Sequence, residues 1–133
     1  MKEIAIKEHH LYNKVFSKGE RFIGRYVSVH ILTDYSAKKR MLAHPLKLYT
    51  NRIGLSVTKK VGGAVQRNRA KRIIRAAYRA VKDTEALKTG KLIVISARPT
   101  IVGRSSNDVK QELLKAFAKL SMLEKRADEG RES

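Results

Sequence analysis

Between Lys59 and Arg75 the chain reads KKVGGAVQRNRAKRIIR, seventeen residues of which seven are basic and none acidic. The acid-free zone is wider than this run, since no Asp or Glu occurs from Tyr35 to Lys82. On a helical wheel of about 100° per residue, Ala70, Ile73, Ile74, Ala77 and Val81 share one arc, wide enough to dock on a sheet. Arg67, Lys71, Arg72, Arg75, Arg79 and Lys82 fill the opposite arc, with Arg69 off to one side. Asn68 falls between Arg72 and Arg75 and offers an amide that both donates and accepts. The chemistry this suits is the holding of phosphate. Arginine predominates, and its planar fork makes two parallel bonds to a phosphate group.

A merely solvated helix face usually alternates its signs, because like charges four residues apart repel by a few tenths of a kcal/mol. Arg67, Lys71, Arg75 and Arg79 are like charges at that spacing, so an external polyanion is expected to offset the cost. A membrane-surface helix would carry bulky apolar residues free to insert, whereas this apolar face is small and needed for the core. Lys59 and Lys60, just before the helix, are further candidate phosphate contacts.

Other residue types offer little chemistry. His9 and His10 are adjacent, do not share a helical face and have no carboxylate cluster beside them. Asp34 reads as isolated, and no set of acids converges as a two-metal nuclease requires. Gly62-Gly63 precedes a helix without the spacing of a nucleotide-binding loop. Ser56 and Thr58 have no partner placed to activate them. The residues describe a binder with no catalytic or metal-ligating group of its own.

The elements that must position the basic run follow from periodicity. A helix is expected over 7–18, with Leu11 and Val15 on one stripe and Tyr12 and Phe16 half a turn away, ended by Gly19. Strands are expected over 21–23, 26–32, 53–58 and 91–96, rich in β-branched and aromatic residues. Alternation places Val27, Val29 and Ile31 on a core face, and Tyr26, Ser28, His30 and Leu32 on a mixed one. The basic helix should span about 64–82. A last amphipathic helix carries Val109, Leu113, Leu114, Phe117 and Leu120, capped by Ser106 or Asn107. Residues 34–52 form a long basic connection broken by Pro45, with room for a short helix. The order αβββαβα defines an α+β fold, a two-layer sandwich of a four-stranded sheet with three helices. A single RNA-binding domain is expected over 1–123, with 124–133 expected to be a polar, disordered tail.

Tyr12, Phe16, Ser28 and His30 suggest a second surface, because aromatics beside an open sheet stack single-stranded bases. Of the two, Phe16 is expected to be the core residue and Tyr12 the exposed one. The chain's 133 residues carry a formal net charge of +18, and the 42% hydrophobic content is enough for one modest core. Cysteine is absent, which excludes disulfides and thiolate metal sites. No apolar stretch approaches the roughly 20 residues that span a bilayer, and the N-terminus does not read as a signal peptide. A soluble, cytoplasmic protein without a membrane partner is expected.

The stretch from Gly54 to Arg75, with Arg67-Asn68-Arg69 inside it, closely resembles the signature of the bacterial ribonuclease P protein subunit. Tyr12 to Gly19 resembles that family's first helix, and Ile93 to Pro99 its last strand; the likeness covers about residues 5–121. The resemblance implies a left-handed βαβ crossover through the basic helix. It implies that Arg67, Asn68, Arg69, Lys71, Arg72 and Arg75 contact the RNA subunit, with Lys59, Lys60 and Arg79 as additional phosphate contacts. Tyr12, Phe16, Ser28 and His30 would line the cleft for the single-stranded 5′ leader of precursor tRNA. The implied activity is endonucleolytic removal of that leader, with catalysis and Mg²⁺ residing in the RNA subunit and the protein alone inactive. Two features depart from the family: a longer connection between Thr33 and Arg52, and more polar residues at Ser28 and His30. The residues alone also fit a non-catalytic RNA-binding or ribosome-associated module.

Overall fold

The computed structural model describes residues 4–43 and 51–123. Its elements are β1 (Ile4–Ala5), α1 (His9–Lys18), β2 (Glu20–Ile23), β3 (Val27–Thr33), α2 (Tyr35–Ala43), β4 (Arg52–Ser56), α3 (Ala64–Thr84), β5 (Lys91–Ala97), a 3₁₀ turn (Pro99–Ile101) and α4 (Ser106–Lys119). The four expected strands are present within a residue or two, and a two-residue β1 adds a fifth at the edge. The sheet order is β1-β4-β5-β3-β2. β3 runs antiparallel to both β2 and β5, whereas β4 and β5 are parallel neighbours joined through α3. That connection is the crossover that carries the basic helix.

Strand alternation gives the sheet two different faces. Val27, Val29, Ile31, Ile93 and Ile95 point to one side and are buried against Ala70, Ile74, Ala77 and Val81 of α3 and Val109, Leu113 and Phe117 of α4. Tyr78 of α3 joins this core, its ring edge-on to Phe117 at 6.3 Å, an arrangement worth about 1 kcal/mol beyond the area it buries. Tyr78 is four residues beyond Ile74 and belongs to the same helical stripe. The opposite face is only partly covered, by α1, through a smaller cluster of Ile6, Val15, Leu92 and Val94. The expected sandwich of sheet and helices is therefore joined by one helix on the far side.

The connection from Asp34 does contain a short helix, α2; Pro45 and the tail from Glu124 lie outside the described residues. Asp34 is not isolated. Arg52 grips it through Nε–Oδ2 at 2.7 Å and Nη2–Oδ1 at 3.1 Å and reaches Glu8 with Nη1 at 3.2 Å. The clamp ties the start of β4 to the entries of α1 and α2, an arrangement of residues far apart in the sequence. Buried Asn51 adds to it, donating to the Lys88 carbonyl and accepting from the Lys91 N–H, both at 2.9 Å.

The cap of α4 is Ser105, one residue before the two candidates. Its Oγ accepts from the Asp108 N–H at 3.2 Å, while Asp108 Oδ2 accepts from the Ser105 N–H at 3.1 Å. This reciprocal box needs an acceptor side chain three residues after the cap; Ser105 has Asp108 there, whereas Ser106 and Asn107 have Val109 and Lys110.

Candidate RNA-binding surfaces

The basic helix presents its charges because its other side is fixed in the core. Ala70, Ile74, Ala77, Tyr78 and Val81 are buried, which leaves Asn68, Arg69, Arg72, Arg75 and Arg79 exposed and Arg67 and Lys71 half-buried. Asn68, Lys71, Arg72 and Arg75 meet around a shallow depression of about 340 Å³, rimmed by exposed Val65. Among the described residues no salt bridge reaches Arg67, Arg69, Lys71, Arg72 or Arg75. The helix also begins at Gly63 with no side-chain cap and no acid in its first turn. Its free N–H groups therefore add positive potential to that of the arginines.

Two members of the Arg-Asn-Arg element diverge from this depression. Arg69 turns to the α4 side and lines a groove of about 150 Å³ with Gln66, Ile73, Ile101 and Val102. Arg67 is absent from the lining of the depression, and its Nε is buried and without a hydrogen-bond partner among the described residues. Lys59 and Lys60 are exposed on a tight turn held by Val61 N–H to Thr58 O and Gly62 N–H to Lys59 O, both 3.1 Å.

The second surface is the sheet face that α1 leaves open. Phe16 is 39% exposed and meets His30 edge-on, with ring centroids 4.7 Å apart. The roles expected of the two α1 aromatics are reversed. Tyr12 is the half-buried one, because its ring lies over Gly54 of β4, and a Cβ at Gly54 would overlap that ring. Tyr26 departs too: it precedes β3, packs against the main core and has the Arg104 guanidinium over its ring at 5.1 Å.

Strand register reveals hydroxyls that linear reading missed. Ser28 pairs with Ser96, and Ser96 with Ser56, so three half-buried serines form one row across β3, β5 and β4. The adjacent row is Arg21, His30, Val94 and Gly54. Only pairing between distant strands brings Ser56 and Ser96 beside Ser28.

Burial of the imidazole, followed by the charge of Arg21, holds the His30 pKa below its ordinary 6.5. The folded chain thus takes up this proton less readily than the unfolded one. The corresponding stability is intact above the ordinary value and is lost as the pH falls below it. His30→Phe, which keeps a ring against Phe16, is expected to show a smaller fall in urea midpoint between pH 7.5 and pH 5 than the parent. Equal falls would show that His30 is not responsible.

Among the described residues no three His, Asp or Glu side chains converge as a metal ion would require. No described helix is long and apolar enough to cross a membrane.

A small α+β domain that backs an arginine-rich helix with a core and exposes aromatic and hydroxyl groups on an open sheet is a protein built to bind RNA. A profile of the family described as Ribonuclease P matches residues 1–121, and the chain belongs to that family, the protein subunits of the endoribonuclease that processes tRNA. It is 32% identical over 123 residues to the ribonuclease P protein component of Clostridium acetobutylicum, covering 92% of this chain and 93% of that one. A Bacillus cereus counterpart is 36% identical over 121 residues, covering 91% and 94%. Among solved structures, the RNase P protein of Staphylococcus aureus superposes with a TM-score of 0.70 at 23% identity, over 92% of this chain and 100% of that one. The RNase P protein of Thermotoga maritima gives 0.62 at 21%, over 86% and 94%. These likenesses share the α+β fold described above.

Proposed function

We propose that this chain is the cytoplasmic protein cofactor of a catalytic RNA, binding that RNA through α3 and the 5′ leader of precursor tRNA through the cleft beside α1. Arg67, Asn68, Arg69, Lys71, Arg72 and Arg75 would contact the RNA subunit, with Lys59, Lys60 and Arg79 as outlying phosphate contacts. Tyr12, Phe16, Ser28 and His30 would line the leader path, with Ser56 and Ser96 added to it. Mg²⁺ and the phosphodiester hydrolysis belong to the RNA in this reading. The protein neutralises phosphate repulsion and holds the substrate strand, so that less magnesium is needed. The observation that carries the reading is the run of like charges on one rigid helix, next to an open aromatic face.

The test is cleavage of a precursor tRNA at low-millimolar magnesium by protein alone, bacterial ribonuclease P RNA alone, and both together. Activity is expected only in the combined reaction. Cleavage by the protein alone would overturn the assignment of the chemistry to RNA. No gain over a matched RNA alone would overturn the cofactor role.

A further inference from the structure

The helix α2 lies in the connection between Thr33 and Arg52 that is longer than the family's, and neither RNA surface above draws on it. Tyr35, Lys38, Lys39 and Leu42 stand at the i, i+3, i+4 and i+7 positions of one helical side, and all are exposed. Tyr35 turns that side toward α1, where Lys14 Nζ lies 5.9 Å from the centre of its ring. Lys14 and Lys18 are exposed as well. At roughly 100° per residue they stand about 180° around α1 from Tyr12 and Phe16, and so face away from the cleft.

Neither α1 nor α2 contains an acid. Glu8 and Asp34, the acids that flank them, are both held by Arg52, which withdraws them from the lysines. Glu20 lines a hollow with Lys18, yet among the described residues no salt bridge reaches Lys14, Lys18, Lys38 or Lys39. Lys18 complements the carbonyl end of α1, a role that Lys14, Lys38 and Lys39 do not share. These cations are left to an external anion. Lysine is a point charge on a flexible stem, suited to phosphates in no fixed geometry. One side of the Tyr35 ring already faces Lys14, which leaves a poor platform for unpaired bases. Single strands are held by stacking on aromatics, duplexes by shape and phosphate contacts. A membrane helix needs a continuous apolar face, whereas Lys38 and Lys39 interrupt the side between Tyr35 and Leu42.

We propose that the outer side of α1 and α2 is a separate binding surface for the phosphate backbone of a base-paired stem of the RNA subunit. The inference rests on the cofactor reading above and goes beyond it. In that reading the precursor reaches the protein by its leader, which the cleft takes up on the other side of α1. The RNA subunit meets α3 across the sheet. A stem on α1 and α2 therefore holds the domain from a second side, and the long connection supplies the contact.

Lys38→Ala combined with Lys39→Ala removes two charges from α2, and alanine favours the helix. Binding of this variant to bacterial ribonuclease P RNA is measured across a salt series, beside the affinity of each holoenzyme for precursor tRNA with and without a leader. Assembly is expected to weaken about fivefold at ~0.1 M salt, the scale of two exposed charge pairs. The slope of log K against log[salt] should flatten by about 1.5. The gain in affinity that a leader brings should stay that of the parent. Hydroxyl-radical footprinting of the RNA should lose protection in a base-paired segment. Lys38→Arg combined with Lys39→Arg should keep the parent slope, which separates charge from any change in α2 itself. The parent slope in the alanine variant would overturn the proposal. Retention of the parent but not that variant on vesicles of anionic lipid would then make the surface a membrane contact. A loss confined to substrates with leaders, or lost protection only in single-stranded RNA, would overturn it too. A parent protein that bound no ribonuclease P RNA would instead refute the cofactor reading, and this surface with it.

Discussion

Replacing Lys71 and Arg75 together by alanine will weaken binding of ribonuclease P RNA about 30-fold at ~0.1 M salt, on the scale of two charge-assisted bonds of about 1 kcal/mol each. The slope of log K against log[salt] will flatten by about 1.5, because each phosphate that the protein no longer neutralises takes roughly 0.7–0.9 from it. These two residues are chosen because both line the depression on α3, and both also line a pocket of about 310 Å³ beside Tyr12 and Gly54. Neither side chain is needed for the core, which α3 enters through Ala70, Ile74, Ala77, Tyr78 and Val81. Thermal stability should therefore stay within about 0.5 kcal/mol of the parent, and relief of repulsion at i,i+4 acts in the stabilising direction. Arg67 would be a poorer choice, since its Nε is buried and its removal would change packing as well as charge. Lys119→Ala, on the exposed end of α4, is the control and should leave the slope unchanged. If the double variant kept the parent slope, the RNA-facing surface would have to lie elsewhere.

The basic helix was legible because its information is local. Small apolar residues at a 3.6-residue period fix the inward side, and charge then has only one side to occupy. The alternating runs of β3 and β5 were legible for the same reason, and Val27, Val29, Ile31, Ile93 and Ile95 lie in the core they form. What the chain concealed depends on distant partners. Tyr12 and Phe16 are indistinguishable by spacing, and their environments are decided by a glycine in β4 about forty residues on. Asp34 acquires its role only where folding brings Arg52 and Glu8 to one place. The serine row exists only in the register of β3, β5 and β4. Two residues of β1 are too few to show a period. The family signature conveys Arg67-Asn68-Arg69 as a unit, yet only Asn68 of the three lines the depression on α3, and Arg69 lines a separate groove. The shared depression belongs instead to Asn68, Lys71, Arg72 and Arg75.

The largest effect on stability is expected at a carboxylate that takes no part in RNA binding. Glu112 of α4 is 9% exposed, and its Oε1 accepts from the backbone N–H groups of Tyr26 and Val27, each at 2.8 Å. Gly24 leaves room for it, since a Cβ there would overlap the Glu112 carboxylate. Glu112→Ala leaves two inward-facing N–H groups without an acceptor. At roughly 1–3 kcal/mol for each orphaned donor, a loss of about 3 kcal/mol follows, which lowers the melting temperature by on the order of 10 °C for a domain of this size. Glu112→Gln retains a carbonyl oxygen and should lose about 1 kcal/mol, because bonds to a charged acceptor are about twice as strong as those to a neutral one. Gly24→Ala should resemble the alanine variant by displacing the carboxylate. All three variants, assayed below their melting transitions, should bind ribonuclease P RNA with the parent salt slope, since no cation of α3 is touched. A changed slope in Glu112→Ala would mean that the tie between α4 and the β2–β3 turn also sets the geometry of the RNA surface. An unchanged melting temperature would mean that water satisfies the two N–H groups as well as the carboxylate does.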